Sequence, residues 1–457
     1  MVICMQQQMS KLTILPNYSI NIDITHNPHN FALTDLFQMA ARINKKRQFL
    51  FVSTVLGKHL AVRPQIPILT GALLAMMYDQ QGGSQKVNTI SSIVQALKDG
   101  INVEELQNSV KESVVLAQET LFIGFAETAT ALGHAVFNAF QSNAMYIHTT
   151  REVIPHIEPF VTFEEEHSHA TSHRIYTEEP DVLQQAKRIV LIDDEITTGN
   201  TVINIIETLK KKFPDVKQYA VLSILDWRSD QQRSVFQQLE EQWGISIEFI
   251  SIMCGTFNCT GVPSLTSIQP SITTIAARDI NLLPIKDSTD HLFYHSIAEN
   301  GKMNSQPYLK ATGRFTLTSK QHFEQNLMLQ TIAKQLKELR TDGPALVIGT
   351  GEFMYVPMQI ASYLGNDVYF QSTTRSPIYC ADVLDYTITE KIVFESPENN
   401  GVENYLYNVQ SQPYTELFLL VERIANKEVV ARMVAALQSV SEAKVYVICM
   451  HELEGAR

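Results

Sequence analysis

Residues 189–201 read Ile-Val-Leu-Ile-Asp-Asp-Glu-Ile-Thr-Thr-Gly-Asn-Thr, and no other run constrains this chain as much. Four consecutive apolar residues predict a strand covered on both faces, as in a parallel sheet. Asp193 and Asp194 end that strand. Small residues follow, and Val202, Ile205, Ile206 and Leu209 then fall on one face of a helix. Strand, tight loop and helix in this order belong to α/β folds, whose ligand sites lie at the carboxyl ends of the strands. The loop Thr197-Thr198-Gly199-Asn200-Thr201 suits a sugar phosphate. Backbone N–H groups at a helix N-terminus, with the helix dipole behind them, attract phosphate. The threonines add hydroxyl donors, and Gly199 lets the backbone approach closely. The two carboxylates upstream would repel a phosphate but can accept hydrogen bonds from ribose hydroxyls.

The same alternation runs through the chain. Residues 31–62 predict a helix, an apolar strand and a loop, and helical patterns follow near 66–78 and 103–118. Strands are expected at 121–125, 144–150, 188–193 and 218–227. Residues 151–180 hold four of the 13 histidines (His156, His167, His169, His173) and the run Glu164–Glu166, with little periodicity. They read as a long exposed loop or a two-stranded flap. Turn residues gather between 265 and 315. Beyond 320 a second series of helices and strands begins, with strands at 345–349 and 416–421. The expected organisation is a lead-in (1–30), an α/β domain (31–265), an interdomain connection (266–315) and a smaller α/β domain (316–457).

Composition narrows the function. With 36 Lys and Arg against 48 Asp and Glu, the formal charge of −12 argues against a broad nucleic-acid or membrane-surface footprint. No stretch approaches 18 apolar residues, so no transmembrane helix is expected, and the opening residues lack the basic-then-apolar pattern of a signal peptide. Five scattered cysteines predict reduced thiols in a cytoplasmic protein.

The 189–201 run resembles the phosphoribosyl-pyrophosphate (PRPP) motif of type I phosphoribosyltransferases. It matches at every position but one: Glu195 stands where that family usually has an apolar residue. The resemblance implies a Rossmann-like parallel sheet, with Asp193 and Asp194 holding the ribose hydroxyls and residues 197–201 cradling the 5-phosphate. It implies Mg²⁺ riding on PRPP with no direct protein ligand. It also implies a pyrophosphate loop after an earlier strand, for which Ala126, Glu127, Thr128, Ala129 and Thr130 are the candidates. Asp193, Asp194, Glu127 and Arg151 are the expected catalytic group. Family members close a flexible hood over the reaction centre, and residues 152–178 are the candidate here, with Arg151 at the entrance. Within it, His167, His169, His173 and Arg174 could bind pyrophosphate or supply a general base. Three imidazoles gathered on a metal, or a plain solvated loop, are the competing readings. Lys58 and His59 are expected to offer positive charge to an anionic substrate, and Lys45–Arg47 either that or a solvated surface.

The C-terminal half carries Gly349-Thr350-Gly351-Glu352 and Thr374-Arg375-Ser376-Pro377. The last four letters resemble the signature of the TRSP domain, found behind a phosphoribosyltransferase-like domain in bacterial tellurite-resistance and stress gene clusters. That resemblance implies biosynthesis of a nucleoside- or nucleotide-like metabolite. The halves also resemble each other. Gly349 follows Gly124, and Glu352 follows Glu127, by 225 positions; Thr374-Arg375 follows Thr150-Arg151 by 224; and residues 416–424 follow 188–196 by 228, setting Glu422 opposite Asp194. If the second half is a copy, Gly349, Gly351, Glu352, Thr374, Arg375 and Ser376 line a strand-end cleft of their own. The overall reading is a PRPP- and Mg²⁺-dependent transferase acting on small molecules, without nucleic acid or membrane partners, and a homodimer as related enzymes often are. A PRPP-sensing module without turnover, and the reverse lyase or phosphorylase reaction, are the alternatives.

Overall fold

The computed structural model describes residues 8–44, 47–79, 83–164, 172–265, 280–285, 290–298, 301–398, 401–410, 412–424 and 426–451. The apolar runs of the first half become the centre of an eight-stranded sheet. Its order is 8–15, 18–26, 246–261, 218–226, 188–196, 114–124, 140–148 and 317–318. The five strands from 246–261 to 140–148 are parallel, and the outer ones are antiparallel. Helices Gln65–Tyr78, Ala129–Phe137 and Asn200–Lys212 bury their apolar residues against it.

Three expectations need correction. The lead-in carries two strands, Gln8–Leu15 and Tyr18–His26, that extend the main sheet. The helix expected over 103–118 stops at Val110, and Val114–Gly124 is strand, because its second part pairs on both sides in the sheet centre. The helix expected after residue 31 is a single turn, Leu33–Leu36, followed by the hairpin strands Phe37–Ala41 and Phe49–Ser53.

The second half forms a five-stranded, wholly parallel sheet in the order 281–284, 444–449, 416–421, 345–349 and 368–372. The strand Asn281–Pro284 joins it from the expected connection. Taken by position, the run 444–449, 416–421, 345–349, 368–372 repeats the run 218–226, 188–196, 114–124, 140–148 of the first sheet. Each half also inserts an antiparallel hairpin at the same point: 161–164 with 172–175, and 391–395 with 403–407. Thr150 bridges Arg174 in one hairpin as Thr374 bridges Tyr405 in the other.

The halves are joined by a reciprocal exchange. Gly57–Val62, from the first half, lies along the edge strand 368–372 of the second, where Val62 and Phe370 exchange backbone hydrogen bonds of 3.0 and 2.8 Å. Leu317–Thr318, which leads into the second half, pairs with the edge strand 140–148 of the first. Helices 129–137 and 355–363, equivalent in the two halves, meet at the centre, with His134 stacked on Tyr355 at 3.7 Å. Each patch thus contacts its own counterpart, as in a two-fold dimer interface.

Candidate functional site

The strand 188–196 runs on through its acids because pairing with 218–226 continues, Asp193 opposite Ser223 and Glu195 opposite Leu225. Asp193 and Asp194 stand half-buried at its end, and Asp193 Oδ1 accepts from the Asp194 N–H at 2.9 Å. Burial pushes the Asp194 carboxyl above its ordinary range. Gly199 then opens the helix Asn200–Lys212 with φ +85°. A Cβ there would meet the Phe236 ring at 2.6 Å, so both conformation and space require glycine. Thr198 Oγ1 accepts from the Asn200 N–H at 3.3 Å, while Thr197, Asn200 and Thr201 stay half-buried at the mouth.

Two supports of this loop were not legible in sequence. Glu195, the departure from the motif, accepts two hydrogen bonds from Arg47 Nη2, at 2.7 and 2.8 Å. Arg47 therefore belongs to the fold; Lys45 and Lys46 lie outside the described residues. Arg228 is buried behind Gly199, held by Asp226 at 3.0 and 2.8 Å and lying 3.3 Å from the Phe249 ring centroid. An Asp-x-Arg at a strand end was the only available signal, and it is weak alone.

On the neighbouring strand 114–124, the loop 125–130 follows Gly124. The Ala126 N–H donates to Thr149 Oγ1 at 2.9 Å, and Thr130 Oγ1 donates to the Glu127 carbonyl at 3.0 Å and the Glu352 carbonyl at 3.1 Å. Thr128 and Ala129 begin the helix behind. The Glu127 carboxylate pairs with Lys58, and Arg375 Nε lies 3.8 Å from it. Burial alone would raise this carboxyl, but Lys58 and then Arg375 hold it below the ordinary range.

Lys58 is 1% exposed and donates to the carbonyls of Thr373 at 2.9 Å and Gly351 at 3.2 Å. It braces the junction between the halves as well as the loop. His59 departs from expectation: burial holds its pKa down to about 3, so it is uncharged at neutral pH and cannot attract an anion.

The flap is the hairpin Val161–Glu164 with Ser172–Ile175. His173 is buried within it, stacked on Phe163 at 5.1 Å and hydrogen-bonded to Thr149 Oγ1 at 2.9 Å. In this arrangement it holds the hairpin onto the strand end. Arg174 exchanges backbone hydrogen bonds with Thr150, and its Nη1 donates to the Ser172 and Arg151 carbonyls at 3.1 and 3.4 Å. His167 and His169 lie outside the described residues. Among the described residues, no three His, Cys, Asp or Glu side chains gather as for a metal.

Among the described residues, a network of ion pairs ties the second half's strand ends together. Glu352 reaches into the first half, accepting from Thr150 Oγ1 at 2.7 Å and the Arg151 N–H at 3.1 Å, and it pairs with buried Arg314. Burial opposes the charge on Glu352, but Arg314 pulls its pKa down to about 2. Arg314 also meets Glu422 at 3.2 Å and Glu152 at 3.6 Å. Arg423 packs 3.8 Å from the Tyr308 ring centroid and pairs with Glu152 at 3.4 Å. Burial, and then Glu422 beside it, raise Glu398 to about 8. Gly349 and Gly351 hold Thr373 through its N–H and Oγ1, at 3.0 Å each. Thr374 Oγ1 accepts from the Ser376 N–H at 3.1 Å. Of the six residues expected to line a cleft there, Arg375 instead faces Glu127 of the first half.

No curated protein matches this chain. Among solved structures, adenine phosphoribosyltransferase from Trypanosoma brucei, in complex with AMP, pyrophosphate and ribose-5-phosphate, is 13% identical. That match covers 53% of this chain and 87% of the other, with a TM-score of 0.31. The enzyme from Leishmania tarentolae is 13% identical (54% and 94% covered, TM-score 0.28), and that from Rhodothermus marinus 11% (49% and 96%, TM-score 0.27). At such TM-scores the likeness carries no argument. The family matches do: residues 36–256 match the family described as phosphoribosyl transferase, and residues 311–437 the TRSP domain that lies C-terminal to it. With both matches in that order, and the parallel sheets that accompany them, this chain belongs to the two-domain phosphoribosyl transferase–TRSP proteins.

Proposed function

We propose that the first half transfers a phosphoribosyl group from PRPP to a small-molecule acceptor, giving a nucleoside- or nucleotide-like metabolite. The observation that carries this reading is the pair of loops that follow two neighbouring parallel strands, 114–124 and 188–196, at the same edge of the sheet. Asp193, Asp194 and the Gly199-opened helix belong to one, and the 125–130 loop with its cations is the other. The acceptor nucleophile attacks C1 of the ribose as the bond to pyrophosphate breaks, and the electron pair leaves with pyrophosphate. Asp193 and Asp194 orient the sugar through its hydroxyls. The helix N-terminus and Thr197, Thr198 and Thr201 hold the 5-phosphate. The hairpin strands 161–164 and 172–175, held beside Thr149 and Thr150 at the strand end, limit water access. Positioning and charge neutralisation provide most of the rate.

Mg²⁺ would ride on the pyrophosphate and ribose oxygens of PRPP and keep its water ligands, with Asp193 and Asp194 left to the sugar hydroxyls. When bound, it neutralises charge on the leaving pyrophosphate. A cytoplasmic setting and a role in tellurite or stress responses are part of the same proposal.

The test is incubation of the chain with PRPP, Mg²⁺ and a metabolite extract, reading new ribosylated species by mass spectrometry and pyrophosphate release in parallel. Asp194→Asn should lower turnover by about 100-fold or more while leaving the melting temperature near wild type. Full activity in that variant defeats the assignment. PRPP binding without pyrophosphate release would favour a sensor instead.

A further inference from the structure

The loop glutamates cross between the halves in opposite directions, but the two crossings are not equivalent. On one side, Arg314 and Arg423 face Glu352, Glu422 and Glu152. That side has more negative than positive charge, and both arginines are nearly sealed, at 3% and 1% exposure. On the other side, Lys58 and Arg375 face Glu127, and Arg151 acts on the same carboxylate. Positive charge is in surplus there, and the Arg375 side chain is 30% exposed. Its 3.8 Å approach to Glu127 is too long for a hydrogen bond. Lys58, by contrast, is held by two carbonyls and cannot leave. A polyanion is therefore attracted to the Glu127 side and repelled by the Glu352 side.

We infer that Arg375, a residue of the second half, completes the anion site of the first half and binds the pyrophosphate end of the substrate. Glu127 serves as its counter-ion in the absence of ligand. The planar guanidinium then turns from a loose carboxylate contact to two phosphoryl oxygens, a geometry arginine matches and lysine does not. The TRSP half thus takes the place that a second subunit would hold in a dimer. Among the described residues its own strand ends are tied up by the Arg314–Glu422 network, and it gives one arginine to its neighbour.

This inference rests on the phosphoribosyl-transfer reading, so its test separates the two. The full chain is titrated with inorganic pyrophosphate plus Mg²⁺ and, separately, with ribose 5-phosphate. Arg375→Ala should weaken pyrophosphate binding by about tenfold or more. Ribose 5-phosphate affinity should stay within about twofold, because that site lies on another loop. Arg375→Lys, keeping charge without the fork, should fall between. If wild type binds both ligands and Arg375→Ala leaves pyrophosphate affinity unchanged, or weakens both ligands alike, this inference fails and phosphoribosyl transfer stands. If wild type binds neither, both fail.

Discussion

Glu195 shows how a departure from a motif is resolved by a distant residue. A carboxylate placed in an apolar slot next to two aspartates is costly unless a cation meets it. Arg47, 148 positions away, does so with both hydrogen bonds and lies 4.9 Å from the Phe49 ring centroid. The pair is partly shielded, with side chains 28% and 11% exposed. Arg47→Met should therefore cost about 2–3 kcal/mol, between an exposed pair and a fully buried one. Adding Glu195→Leu should recover most of that loss in a denaturant-unfolding cycle; purely additive losses would mean the two do not interact. The acids and small residues of the motif could be read directly. Arg47 stood in a basic run equally suited to solvent, since partners far apart in sequence leave no local trace.

The strand–loop–helix unit over 188–212 was legible almost to its ends, because an apolar run and a helical face are local patterns. Gly199 is its hinge point. Gly199→Ala should lower stability by about 1–3 kcal/mol, from the left-handed backbone and the contact with Phe236. It should also weaken ribose 5-phosphate binding, as measured by melting and by titration. A variant as stable as wild type would show that the loop relaxes freely. The segment 103–118 misled because a helical period runs up to Val110, while pairing in the sheet claims Val114 onward. Tertiary pairing overrides weak propensity in such stretches. The pairing of 161–164 with 172–175 was legible only as one alternative, since it rests on His173 and Phe163 packing at the strand end.

Across the whole molecule, the two halves share a polar, buried junction. His134 and His322 approach at 3.2 Å, and Asn138 and Asn326 flank His322 at 2.9 Å each. Burial holds His322 down to about 3, and His148 nearby to about 4. These histidines are neutral when folded, whereas in the unfolded chain they protonate below about 6.5. Their contribution is complete above that pH and is lost as pH falls towards the folded values. Each should cost about 1.4 kcal/mol per pH unit in that interval. Since the halves exchange segments, calorimetry should show one transition. Its stability advantage over His322→Gln should shrink as pH falls from 6.5 to 4.5. Two separate transitions, or an advantage that does not change with pH, would refute a shared junction. The formal charge of −12 bears on none of this, because local surpluses such as Lys58, Arg151 and Arg375 around Glu127 decide where an anion goes.

The sequence alone determined the α/β class, the strand–loop–helix unit over 188–212, the two-part organisation and the internal likeness of the halves. All of these are written in residues close to one another or in a repeated order. Only the tertiary structure decided that the halves face each other through swapped segments, that Glu352 and Glu127 cross between them, and that Arg375 turns away from its own half. Those outcomes depend on which desolvated charges end up within a few ångströms, and distance in space is not encoded in distance along the chain.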